Sequence, residues 1–111
     1  MSKAKNTAPK TGIKSSLGEE IKNKEKAVIL FYATWCPFSR HFLPIFEDYE
    51  KSNPKECVSV IVDEEPDLCE EYSIEIYPTV LLTEKGKVHK RLDSEPHVYL
   101  TKEQLKKFTE K

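Results

Sequence analysis

The fold of this chain is decided by one stretch, Phe31-Tyr32-Ala33-Thr34-Trp35-Cys36-Pro37-Phe38-Ser39. The apolar run from Val28 to Tyr32, which leads into it, predicts a strand that is buried on both faces. A short turn follows, and we expect a helix to begin at or near Cys36. Pro37 suits the first turn of that helix, because it lacks an N–H and its φ is already helical. The sequence therefore predicts a strand, a tight turn and a helix with a cysteine at its start.

Cys36 is the candidate catalytic residue. A cysteine at a helix start points its sulfur at unpaired backbone N–H groups and at the positive end of the helix dipole. Both favour the thiolate, which is the nucleophile in thiol–disulfide exchange. Trp35 is expected to shield one side of the sulfur and to leave the other side open. The sequence therefore predicts exchange chemistry at Cys36.

The cysteine pattern excludes two other kinds of site. The chain has three cysteines, an odd number at irregular spacing, which is not the pattern of a disulfide framework. The same irregular spacing argues against a zinc site that includes Cys36. Cys57 starts a predicted strand and Cys69 lies in a predicted short helix, so we expect both to be structural. We expect no metal and no cofactor.

Length and composition describe one small domain. A chain of 111 residues buries about two-thirds of its unfolded surface, enough for a core of its own. The net charge of −1 argues against a nucleic-acid partner, and no apolar run approaches membrane-spanning length. The first residues lack the apolar core of a signal sequence. We expect a cytoplasmic monomer that does not bind membranes, although a domain whose signal had been removed would look the same.

The N-terminal region is expected to pass from a disordered tail to the folded domain after residue 10. Residues 1–10 are polar without an apolar pattern and predict a disordered tail, so the folded domain is placed at residues 11–111. Gly12-Ile13-Lys14 is expected to form a short edge strand. Ser15 or Ser16 is expected to cap a first helix that ends near Lys24.

The rest of the chain alternates predicted strands with predicted helices, which indicates the α/β class. Gly86 is expected to supply the positive φ of a hairpin turn. The predicted elements are strands at Cys57–Val62, Val80–Thr83 and Val88–Leu92, a short helix at Asp67–Tyr72, and a final helix whose capping box is Thr101 with Gln104.

Two motifs carry a resemblance to a known family. The Trp35-Cys36 pair and its surroundings resemble the active site of the thioredoxin family, and Ile74-Glu75-Ile76-Tyr77-Pro78-Thr79 is similar to the segment that contains the family's cis-proline. Pro44 lies where thioredoxins carry their helix-kinking proline. The resemblance spans about residues 13–111. It implies the thioredoxin fold, with a central mixed sheet and helices on both faces.

The resemblance also implies a function. Members of this family are thiol–disulfide oxidoreductases that act on disulfide-containing client proteins and depend on a thiol reductant or a reductase. In that scheme Cys36 attacks the client, and the backbone before the cis-proline pairs with an extended client strand. The residues implied to bind the client are Trp35, Pro37, Tyr77 and Pro78.

The sequence departs from the family at the active site. Ser39 stands where most members carry a second cysteine. Leu30 and Ser59 stand at the positions of the buried acid and its lysine partner, which serve that cysteine. The three departures indicate chemistry with one cysteine, in which Ser39 is either a hydrogen-bond donor to the Cys36 thiolate or a plain helix cap. Ser39 is equally compatible with an engineered replacement of the resolving cysteine.

Two other functions stay open at this stage. Cys-Pro-Phe-Ser resembles the glutaredoxin motifs Cys-Pro-Tyr-Cys and Cys-Gly-Phe-Ser, which suggests a glutathione-dependent monothiol protein. Trp35 argues against this alternative, as does the absence of Thr-Val before Pro78. The other alternative is a non-catalytic module that only binds clients. The reactivity of Cys36 separates it from an oxidoreductase.

Overall fold

The computed structural model describes residues 12–110 of the chain, so the predicted tail at residues 1–10 lies outside the described residues. This region contains four helices and four strands. In chain order they are α1 (Gly12–Asn23), β1 (Ala27–Tyr32), α2 (Pro37–Ser52), β2 (Cys57–Ile61), α3 (Pro66–Glu71), β3 (Thr79–Glu84), β4 (Lys87–Asp93) and α4 (Lys102–Thr109). Within residues 12–110, no helix is both long enough and apolar enough to cross a membrane.

The four strands form one mixed sheet in the order β2-β1-β3-β4. β1 pairs in parallel with β2 and antiparallel with β3, and β3 pairs antiparallel with β4. The parallel pair is connected through α2, as a parallel crossover requires. The carboxyl ends of β1 and β2 therefore meet at one edge of the sheet, directly before the turn that carries Cys36.

The sheet separates two layers of core side chains. Successive residues of a strand point to opposite faces, so Ile29 and Phe31 enter one layer while Val28 and Leu30 enter the other. The first layer includes Ile21 of α1 and Leu68 of α3. The second layer includes side chains of α2 and α4, namely Phe42, Phe46 and Leu105. Burial on both faces explains why β1 reads as a continuous apolar run.

The predicted edge strand at Gly12-Ile13-Lys14 is wrong, because these residues belong to α1. Ser15 and Ser16, the predicted caps, lie inside that helix and not at its N-terminus. The helical spacing was present in the sequence, where Ile13, Leu17 and Ile21 follow one another at intervals of four residues. Extending an existing helix adds one hydrogen bond per residue, whereas a strand of three residues buries little. The later predicted elements are confirmed, with ends that differ by one residue.

The hairpin between β3 and β4 turns at Lys85 and Gly86. Both residues have positive φ, 52° and 84°, the combination of a type I′ turn. A Cβ on Gly86 would lie 2.9 Å from Cγ and 3.1 Å from Cα of Lys22 in α1. The Tyr72 hydroxyl also donates a hydrogen bond to the Gly86 carbonyl, at 3.2 Å. Gly86 is therefore required both for the backbone turn and for the close approach of α1.

We expect Gly86→Ala to lower the free energy of unfolding by about 1–2 kcal/mol, because it combines a left-handed backbone with a clash against Lys22. Lys85→Gly is the matched control at the adjacent position. Glycine at position 85 relieves the strain of the left-handed backbone but increases the entropy of the unfolded chain. These effects offset each other, so we expect the free energy of unfolding to change by no more than about 0.5 kcal/mol. Urea unfolding followed by circular dichroism measures both. Equal stability of the Gly86→Ala variant and the unsubstituted protein would contradict this account of the turn.

Candidate active site

Cys36 is the N-cap of α2, which confirms the predicted helix start. Its φ and ψ are −94° and 123°, an extended conformation, and its carbonyl accepts the first helical hydrogen bond from the Arg40 N–H at 3.0 Å. The Cys36 N–H donates to the Ala33 carbonyl at 3.2 Å and closes the turn after β1. The sulfur is therefore held at the N-terminal end of a 16-residue helix, where the helix dipole favours negative charge.

Three of the predicted site residues meet around the sulfur. Cys36 is partly buried, and its Sγ lies 3.9 Å from the carbonyl oxygen of Tyr77. The Trp35 ring meets the Tyr77 ring edge-on, with centroids 6.0 Å apart and planes at 90°. The Tyr77-Pro78 peptide bond is cis, as the family resemblance implied, and Pro78 is buried. Pro37 is exposed at the first position of α2.

Trp35 is fixed by a residue that the sequence analysis missed. Its Nε1–H donates to Oδ2 of Asp63 at 2.9 Å, while the side chain stays 59% exposed. Asp63 lies in the turn that follows β2, and β1 and β2 end side by side because Tyr32 pairs with Ile61. The sequence offered one sign of this contact, because Asp63 directly follows the strand predicted at Cys57–Val62. This hydrogen bond orients the indole beside the sulfur without burying it.

Ser39 makes a hydrogen bond that neither of its two predicted roles describes. The side chain is fully buried, and its Oγ accepts a hydrogen bond from the Ala33 N–H at 3.1 Å. The hydroxyl thus joins the first turn of α2 to the turn that precedes Cys36. A buried N–H without a partner is unfavourable, so this bond stabilises the active-site turn. Because a hydroxyl also donates, the predicted hydrogen bond to a Cys36 thiolate stays a prediction.

The two positions associated with proton transfer in the family hold no ionisable group. Leu30 and Ser59 are register partners in the β1–β2 pair. Leu30 is fully buried in the second core layer, and Ser59 is exposed. Neither residue exchanges a proton near neutral pH. These positions therefore cannot assist a second thiol at position 39.

Cys57 is far less available than Cys36. It is 7% exposed and lies in the second core layer, whereas Cys36 packs against the first, on the other face of the sheet. Burial raises the pKa of the Cys57 thiol from 9.0 to about 12, with a further contribution from the negative charges of Glu50 and Glu56. At neutral pH this cysteine is almost entirely in the thiol form.

Cys69 is intermediate between the other two cysteines. It is partly buried in α3 and packs against the same core layer as Cys36. Burial raises the pKa of its thiol, and the negative charges of Asp63 and Glu65 raise it further. All three cysteines are free. Of the two spare cysteines, only Cys69 lies on the same side of the sheet as the sulfur of the candidate site.

Comparisons with known proteins agree with this geometry. The family model described as Thioredoxin matches residues 9–111. Endoplasmic reticulum resident protein 44 from Mus musculus is 33% identical over 84 residues, which cover 68% of this chain and 21% of that protein. Protein disulfide-isomerase A5 from Bos taurus is 27% identical over 84 residues, 70% of this chain and 16% of that protein.

Among solved structures, oxidised mitochondrial thioredoxin 3 from Saccharomyces cerevisiae is 30% identical, with a TM-score of 0.62 over 70% of this chain and 74% of that one. The chain spans about a fifth of the length of the two curated relatives. One relative is named for the endoplasmic reticulum and another for the mitochondrion. The comparisons therefore give no support to the expected cytoplasmic location, which stays a prediction.

We expect iodoacetamide at neutral pH to label Cys36 first, Cys69 next and Cys57 last. With a pKa of about 12 against the ordinary 9.0, the thiolate fraction of Cys57 is lower by about a thousandfold. Quantitative peptide mapping of the labelled protein gives the three rates. In the protein unfolded by urea, Cys57 and Cys69 should label at the rate of an ordinary thiol. Labelling of Cys36 no faster than Cys57 in the folded protein would contradict the assignment of the reactive sulfur.

Proposed function

Because the chain belongs to the thioredoxin family and has its fold, we propose that it is a thiol–disulfide oxidoreductase that acts through one cysteine, Cys36. The observation that carries the proposal is the position of this sulfur at the start of α2, 3.9 Å from the Tyr77 carbonyl. A partly exposed sulfur at a helix N-terminus is the arrangement that activates cysteine for exchange. A serine at position 39 supports the restriction to one thiol.

The proposed reaction is a pair of exchanges. The Cys36 thiolate attacks one sulfur of a client disulfide, and a new S–S bond forms as the client S–S bond breaks. The second client sulfur leaves as a thiolate and takes a proton from solvent. A thiol reductant then attacks the Cys36 sulfur and releases the client as a thiol, and a second reductant thiol displaces the first as a disulfide and restores Cys36. The client gains two electrons, which the two reductant thiols supply.

The residues around the sulfur provide the client-binding surface in this proposal. An extended client segment that pairs with the backbone of Tyr77 brings its disulfide to Cys36, as a strand adds to the edge of a sheet. The exposed Trp35 ring, oriented by Asp63, contacts the same segment. Pro37, which is exposed next to Cys36 in the chain, extends this surface, whereas Pro78 is buried and supports the backbone of Tyr77, to which it is directly bonded.

The absence of a thiol at position 39 determines the fate of the intermediate. The Ser39 hydroxyl cannot form a disulfide, and Cys57 lies in the core layer on the other face of the sheet. Burial raises the pKa of the Cys69 thiol, which lowers its thiolate fraction and makes it a poor attacking group. The mixed disulfide between Cys36 and the client therefore persists until an outside thiol resolves it. The proposed partners are disulfide-containing client proteins and a thiol reductant or a reductase.

We expect the protein to form mixed disulfides with client proteins that contain a disulfide. We expect it to reduce insulin only slowly under multiple-turnover conditions. Ser39→Cys should raise the rate of insulin reduction at least about tenfold, because an internal thiol resolves the intermediate. Ser39→Ala is the matched control, since it also removes the hydrogen bond to the Ala33 N–H but supplies no thiol. It should leave turnover slow and lower the free energy of unfolding by about 1–3 kcal/mol.

Insulin precipitation with a thiol reductant measures turnover in all three proteins. Cys36→Ser should abolish both turnover and mixed-disulfide formation. Fast turnover by the Ser39 protein would contradict the single-cysteine mechanism, and unchanged mixed-disulfide formation in Cys36→Ser would contradict the proposed function itself.

A further inference from the structure

The loop between β4 and α4 returns to the start of α2. The Val98 N–H donates to the Glu95 carbonyl at 3.0 Å, and His97 has a φ of 64°, in the left-handed region that non-glycine residues rarely adopt. This turn leaves two apolar side chains at the surface, Val98 with 46% and Tyr99 with 47% of its area exposed. Leu100, directly after them, is 2% exposed and anchors the loop in the core.

Tyr99 packs against two rings of α2. Its ring centroid lies 4.7 Å from that of Phe38 and 4.4 Å from that of His41, with interplanar angles of 40° and 42°. Phe38 and His41 are three residues apart and share one face of the helix. We refer to Phe38, His41 and Tyr99 as the aromatic cluster. The contact distances are those of favourable ring packing, so the loop holds Tyr99 in a defined place.

The aromatic cluster begins in the first turn of α2, the helix whose N-cap is Cys36. Trp35, which contacts Tyr77, directly precedes Cys36 in the chain. Phe38, the first member of the aromatic cluster, lies two residues after Cys36. Within α2, Ser39 and Phe42 are fully buried, whereas His41 is exposed and Phe38 is partly exposed, so the cluster reaches the surface. Aromatic residues therefore flank Cys36 in the chain on both sides. Exposed apolar side chains grouped beside a reactive group are typical of a binding surface.

We propose that the aromatic cluster recognises an aromatic or large aliphatic side chain next to the client cysteine that Cys36 attacks. This inference rests on the proposed function and specifies its substrate class. Tyr99 is the specificity-determining residue. Its side chain has only two χ angles and so loses little conformational entropy on contact, and nearly half of its surface is exposed to a client.

The test uses two peptides that carry one cysteine as a 2-pyridyl disulfide and differ only in its neighbours, phenylalanine or serine. The Cys36 thiolate forms an S–S bond to the peptide sulfur, the original S–S bond breaks, and 2-thiopyridone leaves. Its absorbance gives the second-order rate constant, and Cys36→Ser gives the background from the other cysteines. We expect the phenylalanine peptide to react faster than the serine peptide.

Tyr99→Ser should reduce the ratio of the two rate constants by roughly threefold to tenfold, the range expected for loss of one aromatic contact. Tyr99→Phe keeps the ring and should keep the ratio. Val88→Ser is the matched control, since Val88 is 42% exposed and lies near the end of β4 that is remote from Pro78. Labelling by iodoacetamide, which has no ring, should be equal in all of these proteins.

Two results would overturn the inference. If the ratio is the same in the unsubstituted protein and in Tyr99→Ser while both peptides react at Cys36, the aromatic cluster does not select clients and the proposed function stands. If neither peptide reacts at Cys36, the proposed function fails and this inference fails with it.

Discussion

The structure depends on the burial of β1 between two core layers. Hydrogen bonds to β2 on one edge and to β3 on the other fix the strand, and the side chains of Val28, Ile29, Leu30 and Phe31 are fully buried. The chain therefore leaves the sheet at one defined point and turns at once into α2. The hydrogen bond from the Ala33 N–H to Ser39 Oγ joins that turn to the helix. Cys36 is therefore held at the N-terminus of α2 by the buried strand before it and by the Ser39 hydrogen bond after it.

The same hydrogen bond gives a structural reason for a serine in a place that most members of the family give to cysteine. A hydroxyl oxygen is a good acceptor for a backbone N–H, whereas sulfur is a weak one. Position 39 holds no thiol, and positions 30 and 59, which the family uses for proton transfer, hold Leu30 and Ser59 and therefore no group that ionises near neutral pH. In the proposed mechanism this site captures a disulfide, and release of the client then requires a second thiol from outside.

Local patterns predicted the helices and strands, and the family resemblance implied their arrangement around a mixed sheet. The continuous apolar run of β1, Pro37 at the helix start and Gly86 in the hairpin each require a particular backbone, and the structure has it. The edge strand at residues 12–14 was wrong, because a three-residue segment carries too little periodicity to outweigh the extension of α1.

Two contacts at the site could not be predicted from local patterns, since each joins side chains that are distant in the chain. The hydrogen bond between Trp35 and Asp63 depends on the parallel register of β1 and β2. The packing of Tyr99 on Phe38 depends on the path of an irregular loop.

We propose that Cys36 exchanges with disulfides and that neither Cys57 nor Cys69 resolves the product. The most direct measurement is mass spectrometry of the reduced protein after brief treatment with oxidised glutathione and quenching with acid. We expect one stable glutathione adduct, mapped to Cys36, with glutathione thiolate as the leaving group. An internal disulfide between Cys36 and Cys69, seen as a protein two hydrogens lighter without an adduct, would contradict it. So would an adduct on Cys57 or Cys69 while Cys36 stays free.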